Sequence, residues 1–281
     1  MTAPGALRGR LRRANPLAGA GALVWLVIVI VPVYVMITTS LMRQDEALSG
    51  HTFALPTHPT LANYRLVLDG GFLGFLLNNV IVTVATVAIV VALCVPLAYV
   101  VVRTRNRWAD LAFRLFLLGL AIPAAVIIVP LYVMIGKMGL YDSLTAIILP
   151  TAAFAMPVTL LILVGTMRDI SEELYEAMAL DGASPLRMLL QLVVPLSRSG
   201  ISTVSVFAGL QAWNGFLFPL ILTQSDGDRV LTTGLYKLSG QYGVNIPATL
   251  AAVILSGIPM LVVYLVARRA LVSGLMGAGG K

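Results

Sequence analysis

The stretch EELYEAMALDGASPLRMLLQLVVP, residues 172–195, is an acidic, helix-forming segment between two long apolar blocks. Ser171 can cap a helix whose first turn holds two glutamates, a place where carboxylates interact favourably with the helix dipole. The Asp-Gly pair at 181–182 supplies a helix stop, and the Ser-Pro pair at 184–185 supplies a new cap and a first helical position. The stretch therefore predicts a helix, a tight turn and a second helix that leads into the next apolar block.

The two flanking blocks belong to a chain with the composition of a membrane protein. Of its 281 residues, 59% are hydrophobic and 11% are charged, well outside the usual composition of soluble domains. A helix needs about 20 mostly apolar residues to cross the hydrocarbon, and six charge-free blocks are long enough. They are residues 17–41, 80–102, 115–136, 143–164, 199–222 and 249–267. The sequence therefore predicts an all-α membrane protein with six transmembrane helices, in which a helix-turn-helix segment joins spans four and five.

The loops predict the orientation, because Lys and Arg accumulate on the cytoplasmic side of membrane proteins. Six spans put both termini on one side, and if that side is the inside, fourteen of the 19 basic residues are cytoplasmic. The outside then holds Arg43, Arg65, Lys137, Arg229 and Lys237. We therefore predict a multi-pass protein of the bacterial plasma membrane with cytoplasmic N- and C-termini, in contact with membrane lipid. This asymmetry explains the net charge of +7 without a nucleic-acid partner.

The chain divides into a short tail and one membrane domain. Residues 1–16 hold four arginines and are predicted to form a basic cytoplasmic tail. Residues 17–281 are predicted to form a single transmembrane domain with its core at about 75–272 and the helix-turn-helix segment at 171–195. The first apolar block is longer than the core of a secretory signal, and no small-x-small cleavage site follows it, so we expect a retained span.

Ionisable residues are absent from all six blocks. Proton relays, ion-coupled carriers and voltage sensors generally place such groups in the membrane, so a transporter built from these spans needs an energy source elsewhere. Cys94 is the single cysteine, and His51 and His58 have no third ligand nearby, so neither a disulfide nor a metal site is predicted. Hydrolase and metalloprotease motifs are missing, and the tail GLMGAGGK lacks parts of a phosphate loop. We expect no enzyme activity and no cofactor bound by this chain.

Neutral polar residues do lie in the spans, and most are expected to bond to the helix backbone. Gln211, Trp213 and Asn214 differ, because an indole face beside two amides suits a neutral, hydroxyl-rich ligand such as a sugar. These three residues are therefore candidates for a substrate pathway, with packing and backbone hydrogen bonds as the alternative interpretation.

The acidic stretch needs a surface to pack on, because so short a hairpin is marginal alone in water. An amphipathic helix lying on lipid is one interpretation. Anionic headgroups would repel its four acidic side chains, however. A protein partner explains the acidity better.

Part of the stretch resembles a known signature, E-A-A-x3-G-x9-I-x-L-P, the EAA motif of permease subunits of ATP-binding-cassette importers. Glu176, Ala177, Gly182 and Pro195 match it, while Met178, Leu192 and Val194 are conservative departures. The form EAMALDGASPLR is similar to the carbohydrate-uptake subgroup. WNGFLFPLILT, LTTGLYKLSGQYG and GLMGAGGK extend the likeness to the maltose-transporter type over nearly the whole chain. The resemblance assigns to the ATPase-coupling loop the residues Glu176, Ala177, Met178, Asp181, Gly182, Pro185, Leu192 and Pro195.

The resemblance also implies the partners. The EAA helix would dock on a dimer of separate cytoplasmic ATP-binding subunits, which bind the ATP and Mg that this chain does not. A second, homologous permease subunit and an extracytoplasmic sugar-binding protein or lipoprotein would complete the complex, the latter meeting the outside loops at 42–78 and 223–248. The C-terminal residues Gly279, Gly280 and Lys281 would reach the ATPase pair.

These observations predict a membrane-spanning subunit of a carbohydrate importer that forms half of the translocation pathway. The same machinery could instead import another neutral or weakly charged solute, such as an amino sugar, a polyamine or a glycerol phosphodiester. A stand-alone secondary carrier and a membrane-embedded enzyme are alternatives of a different class. The lack of intramembrane ionisable groups and of an obvious inverted repeat argues against both.

Overall fold

The computed structural model describes the backbone of residues 16–50, 53–104, 106–241 and 245–277, and the side chains of residues 19–50, 53–104, 106–236 and 245–265. The described elements are all helical. They are α1 (Pro16–Ser40), α2 (Gln44–Ala47), α3 (Ala62–Asp69), α4 (Phe72–Thr104), α5 (Arg107–Leu118), α6 (Ile128–Lys137), α7 (Leu144–Arg168), α8 (Glu172–Leu180), α9 (Pro185–Met188), α10 (Val194–Leu196), α11 (Arg198–Trp213), α12 (Leu217–Leu222), α13 (Leu231–Gln241) and α14 (Ile246–Gly277). Short 3-10 turns at Gly119–Ala121 and Ala124–Ile127 join α5 to α6, and a π-helical stretch at Leu189–Val193 joins α9 to α10.

Four single helices are long and apolar enough to cross a membrane: Gly19–Ser40, Phe72–Thr104, Leu144–Arg168 and Ile246–Leu265. Two further helix pairs qualify together but are sharply bent. Arg107–Ala121 meets Ala124–Lys137 at 92°, and Pro185–Leu196 meets Arg198–Trp213 at 78°. If each bent pair is one span, the described chain has six spans, which confirms the predicted all-helical membrane fold.

The third span is bent, where the sequence predicts a continuous block at 115–136. The break lies at Ile122 and Pro123, and Ile122 has the extended backbone angles φ −94° and ψ 110°. A proline ring disfavours the helical region for the residue before it. The hydropathy of the block does not report this break, because the broken segment is as apolar as its neighbours.

The fifth predicted span, 199–222, is also wrong as a continuous helix. The helix α11 ends at Trp213, and the chain resumes as α12 only at Leu217. At the helix end, the carbonyl of Leu210 accepts both the backbone N–H of Asn214 at 3.1 Å and the side-chain amide of Asn214 at 2.9 Å. Pro219 then falls in the first turn of α12, where the missing N–H costs no hydrogen bond.

The core forms where α4, α7 and α11 pack side by side. Its buried residues include Val90, Leu160, Leu163 and Val204, none of which exposes measurable side-chain surface. The first helix, α1, packs along α14 and is otherwise largely exposed, as expected for a helix whose surroundings are lipid.

At one end of the bundle, side chains tie the loops to the spans. The Asn78 amide donates to the carbonyls of Gly227 and Arg229 at 2.7 and 2.8 Å. The Asp142 carboxylate accepts from the backbone N–H groups of Gln224 and Ser225 at 2.7 and 2.8 Å. These two N–H groups hold the pKa of Asp142 below its ordinary value. This end carries the loops that the orientation prediction places outside.

Several neutral polar residues in the spans bond to their own helix, as expected. Thr151, Thr203 and Ser205 each donate to the carbonyl four residues earlier, at 2.7 to 2.9 Å. Ser256 donates to the carbonyl of Val253 at 2.7 Å. These hydroxyls are therefore structural rather than free for a ligand.

Candidate functional site: the hairpin at residues 171–195

The predicted helix, turn and helix are all present in the 171–195 hairpin. After α8, Gly182 adopts φ +73°, the left-handed conformation that favours glycine. The N–H of Gly182 bonds to the carbonyl of Ala179, and the N–H of Ala183 bonds to the carbonyl of Met178, both at 3.0 Å. This pair of bonds is the Schellman motif, so the Asp-Gly stop closes the helix through backbone hydrogen bonds.

The two predicted caps differ. The Ser184 hydroxyl accepts from the N–H of Arg187 at 3.3 Å, and Pro185 occupies the first turn of α9. Ser171 has the extended backbone of an N-cap residue, yet its side chain makes no capping hydrogen bond. The expectation of a side-chain cap is therefore correct at Ser184 and wrong at Ser171.

One aromatic residue packs α8 against the membrane bundle. Tyr175 is 2% exposed, and its ring stacks on the Tyr99 ring with centroids 6.4 Å apart at an interplanar angle of 26°. The Arg103 guanidinium lies 4.8 Å from the centroid of the Tyr175 ring and also forms an ion pair with Glu172. Burial raises the pKa of Tyr175, and the neighbouring Tyr99 adds to the rise, so the phenol is neutral at physiological pH.

The opposite face of α8 has no partner in the described chain. Leu174 is 44% exposed and Leu180 is 90% exposed, and Glu176, Ala177 and Asp181 are exposed beside them. Large apolar residues flanked by acidic ones mark a surface for a protein partner rather than for anionic lipid. The resemblance assigned Glu176, Ala177 and Asp181 to docking, and the structure brings them together on this face.

Of the remaining residues of the motif, Met178 lies in α8, and Pro185, Leu192 and Pro195 lie in the second half of the hairpin. Met178 and Leu192 are partly buried against the core cluster, whereas Pro185 and Pro195 are exposed. Pro195 follows directly on the π-helical stretch Leu189–Val193, where the ordinary helical hydrogen-bond pattern is already interrupted. These residues shape the second limb and connect it to the core.

The three candidates for a substrate pathway are separated in the structure. Gln211 and Asn214 are exposed, and the Asn214 amide bonds to its own helix. Trp213 is buried in a cluster with Phe72, Phe75 and other apolar residues. The indole is therefore buried while the two amides are exposed, and a substrate role for these three residues stays a prediction.

Sequence reasoning passed over two polar residues near Trp213. The amide of Asn79 donates to the Trp213 carbonyl at 3.4 Å, while the buried side-chain oxygens of Asn79 and Thr83 have no hydrogen-bond partner in the described chain. Thr83 and Trp213 line a cavity of about 310 Å³ whose other walls are mostly apolar. Buried oxygens of this kind normally find a water, a ligand or a partner chain. Their i, i+4 spacing on one face of α4 is the signal that could have found them.

Tyr99, Arg103 and Tyr175 are also absent from the sequence prediction. An aromatic residue in an otherwise acidic helix was the available signal. The predicted ATPase contacts at Gly279, Gly280 and Lys281 and the predicted tail at 1–15 lie outside the described residues. Within the described part of the chain, no group of three His, Cys, Asp or Glu side chains could hold a metal ion.

Apolar spans, two of them bent, and an exposed acidic hairpin define the class of protein as a helical membrane protein. The family described as binding-protein-dependent transport system inner membrane component matches residues 85–273, more than half of the 281-residue chain. The chain belongs to this family, which confirms the predicted resemblance to permeases of ATP-binding-cassette importers.

Several relatives and one solved structure match this chain over nearly its whole length. The chain is 36% identical to a putative ABC transporter permease protein of Caldicellulosiruptor sp., over 92% of this chain and 94% of that protein. It is 34% identical to the diacetylchitobiose uptake system permease protein of Streptomyces coelicolor, over 92% and 86%. It is 29% identical to the multiple sugar-binding transport system permease protein of Streptococcus mutans, over 91% and 93%. A bacterial ABC transporter that imports the acidic polysaccharide alginate shares the fold, with a TM-score of 0.79, 20% identity and coverage of 94% and 99%.

Proposed function

We propose that this chain is the membrane-spanning subunit of an ATP-driven importer of a sugar or oligosaccharide, and that it contributes half of the translocation pathway. The exposed face of α8 carries the proposal, because Leu180 and the acidic residues beside it have no partner within the described chain. This face would dock on a separate cytoplasmic ATPase dimer, which binds and hydrolyses ATP with Mg. The chain itself has no catalytic role.

The carbohydrate assignment is supported by the relatives whose names describe uptake of diacetylchitobiose, multiple sugars and glucose. The neutral interior of the spans also suits an uncharged, hydroxyl-bearing solute better than a strongly anionic one. A second, homologous permease subunit and an extracytoplasmic binding protein complete the proposed complex. In this arrangement the hairpin and both termini are cytoplasmic, and the loops tied by Asn78 and Asp142 face the binding protein.

The test begins with the complex. The affinity-tagged chain, purified from membranes of its own organism, should bring with it an ATPase, a second permease and a binding protein. Proteoliposomes that hold this complex, with ATP on the ATPase side, should take up radiolabelled mono- or disaccharides on the binding-protein side. The isolated chain should neither hydrolyse ATP nor transport.

The alternatives make different predictions in the same assay. ATP-dependent uptake of spermidine or glycerophosphocholine, without uptake of any sugar, would keep the machinery and refute the carbohydrate assignment. Transport by the isolated chain would refute the proposed energy source and favour a secondary carrier.

A further inference from the structure

The helix α8 is attached to the rest of the chain on one side only. Of its nine residues, all of them described, Tyr175 is the buried one and Met178 is partly buried. Glu176, Ala177 and Leu180 lie on the exposed side. The helix thus presents one side to a partner and holds the membrane bundle with the other.

Two side chains of one helix contact the buried side of α8. Tyr99 and Arg103 both belong to α4, one turn apart, and together they contact the ring of Tyr175 from two directions. Arg103 extends the contact to Glu172 at the start of α8. The Tyr99 hydroxyl also lies 3.8 Å from the sulfur of Met188, beyond the turn, so the same turn of α4 touches both limbs of the hairpin.

The hydroxyl of Tyr175 is buried without a hydrogen-bond partner in the described chain. Tyr175 therefore contributes its ring to the contact, through stacking on Tyr99 and through the Arg103 cation above it. A phenylalanine should serve equally well, whereas an aliphatic or small residue should not.

The helix that receives this contact is central to the fold. Along its length, α4 packs on both α7 and α11, the helices that form the core. A rigid connection between α8 and α4 would therefore move the core whenever the hairpin is displaced. A loose connection would let the hairpin move alone.

We propose that Tyr175, clamped by Tyr99 and Arg103, is the positioning residue that makes the 171–195 hairpin and α4 move as one body. This inference rests on the proposed function and adds to it the route by which movement of the ATPase partner enters the membrane bundle. Tyr175 acts through α4 and touches no substrate.

The decisive measurement is the amount of solute taken up per ATP hydrolysed by the complete complex in proteoliposomes. Tyr175→Leu should lower this ratio by about fivefold or more, the scale of a typical coupling between sites, while the ATPase stays bound. Tyr175→Phe should leave the ratio unchanged. An unchanged ratio in Tyr175→Leu, or an equal loss in Tyr175→Phe, would overturn the proposal.

A charge exchange provides a second test that does not depend on losing the ring. Arg103→Glu places two carboxylates together and should lower the ratio, and adding Glu172→Arg should restore a substantial part of it. Failure of the double variant to recover, with both proteins folded and assembled, would contradict a role for the Arg103–Glu172 pair.

Spin labels test the one-body movement directly, in a Cys94→Ala background. Labels at Ala179→Cys and Thr104→Cys, both at exposed positions that are not among the docking residues, should keep their distance when ATP binds to the complex. The distance should change or broaden in Tyr175→Leu. A distance that changes on ATP binding with Tyr175 intact would refute the proposal.

Two controls separate this inference from the proposed function. Tyr132→Ala removes an aromatic pair with Tyr141, of 5.3 Å centroid separation. Tyr132 lies on α6 and Tyr141 in the loop that follows it, neither of them in the hairpin or α4, so the ratio should be unchanged. Leu174→Ala alters the exposed face and should weaken binding of the ATPase, a loss that Tyr175→Leu should not show. A wild-type complex without ATP-driven uptake would refute the proposed function itself.

Discussion

Gly182 gives the 171–195 hairpin its turn, and its backbone rather than its surroundings limits what can replace it. A Cβ built at this position meets no atom within 4 Å, yet φ is +73°. A non-glycine residue in this region costs roughly 1–2 kcal/mol, with asparagine among the best tolerated. The turn is therefore specific to glycine for a conformational reason that exists before any partner binds.

Substitution of Gly182 should show that its backbone conformation, and not the space around it, limits the choice of residue. Gly182→Val should unfold the Schellman turn and abolish uptake, whereas Gly182→Asn should keep a large part of it, because asparagine accepts positive φ more readily. Uptake by the reconstituted complex and the amount inserted in the membrane are the measurements. Gly227→Ala is the matched control, at an open position without a positive φ. Equal uptake by the valine and asparagine variants would contradict this explanation.

Asp142 predicts a pH dependence for the end of the bundle that bears residues 138–143 and 224–229. The N–H groups of Gln224 and Ser225 lower its pKa in the folded protein, so the unfolded chain binds this proton more readily. The stabilisation is therefore fully present above the ordinary aspartate pKa of about 4 and is lost as the pH falls through the lower, folded value. The thermal midpoint of Asp142→Asn should lie below that of the wild type at pH 7, and the difference should shrink towards pH 3. A difference that does not vary with pH would contradict this account.

For single residues, the sequence predicts the features that depend on neighbouring residues along the chain. The Asp-Gly stop and the Ser184 cap follow from local hydrogen bonds and are confirmed. The burial of Tyr175 depends on Tyr99 and Arg103, some 70 residues earlier in the chain. The separation of Trp213 from Gln211 and Asn214 follows from packing that no local pattern records. Contacts between distant segments require the fold.

Among the helices, one close approach of a glycine to a neighbouring span joins α7 to α11. A Cβ at Gly200 would lie 2.6 Å from the Oγ1 of Thr166 and 3.0 Å from its Cβ. Threonine is branched at Cβ and stiff, and its hydroxyl donates to the carbonyl of Ile162, so it cannot simply turn away.

Gly200→Ala should therefore destabilise the subunit by about 1–3 kcal/mol through overpacking. Gly209→Ala, where the nearest atom would be the Cγ2 of Val87 at 3.6 Å, should be tolerated. Thermal unfolding in nanodiscs is the measurement, and Thr166→Ala combined with Gly200→Ala should recover much of the loss. A double variant no more stable than Gly200→Ala would exclude a clash with Thr166 as the cause.

Hydropathy predicts the number of helical spans but not their course. Each apolar block identifies a place where the chain crosses hydrocarbon, because the length requirement is set by the bilayer. The 92° bend at Pro123 and the interruption after Trp213 keep the apolar composition and change only the backbone. A proline shows only that a break is possible. The helix breaks at Pro123, whereas α4 continues through Pro96. The surrounding packing decides between the two.

For the whole molecule, the arrangement in the membrane is the prediction to test. In a Cys94→Ala background, a cysteine at Leu186, an exposed position of the hairpin outside the docking face of α8, should react with a membrane-impermeant maleimide only from the cytoplasmic side, because the hairpin is proposed to meet the ATPase there. A cysteine at Gly227 should react only from outside. Labelling of intact cells and of inside-out vesicles distinguishes the two positions. Reaction of both on the same side would refute the six-span topology.

The length of α4 has a consequence for the whole assembly. Its 33 residues extend about 50 Å, with Asn78 near one end bonded to the Gly227 loop and Tyr99 near the other in contact with α8. Because α4 rests on α7 between these ends, a tilt about that support carries the two ends in opposite directions. In such a tilt, the Gly227 loop at one end of α4 and the hairpin at the other end would move together, in opposite directions. Solute arrival on one face and ATP binding on the other can then oppose or assist each other through a single helix.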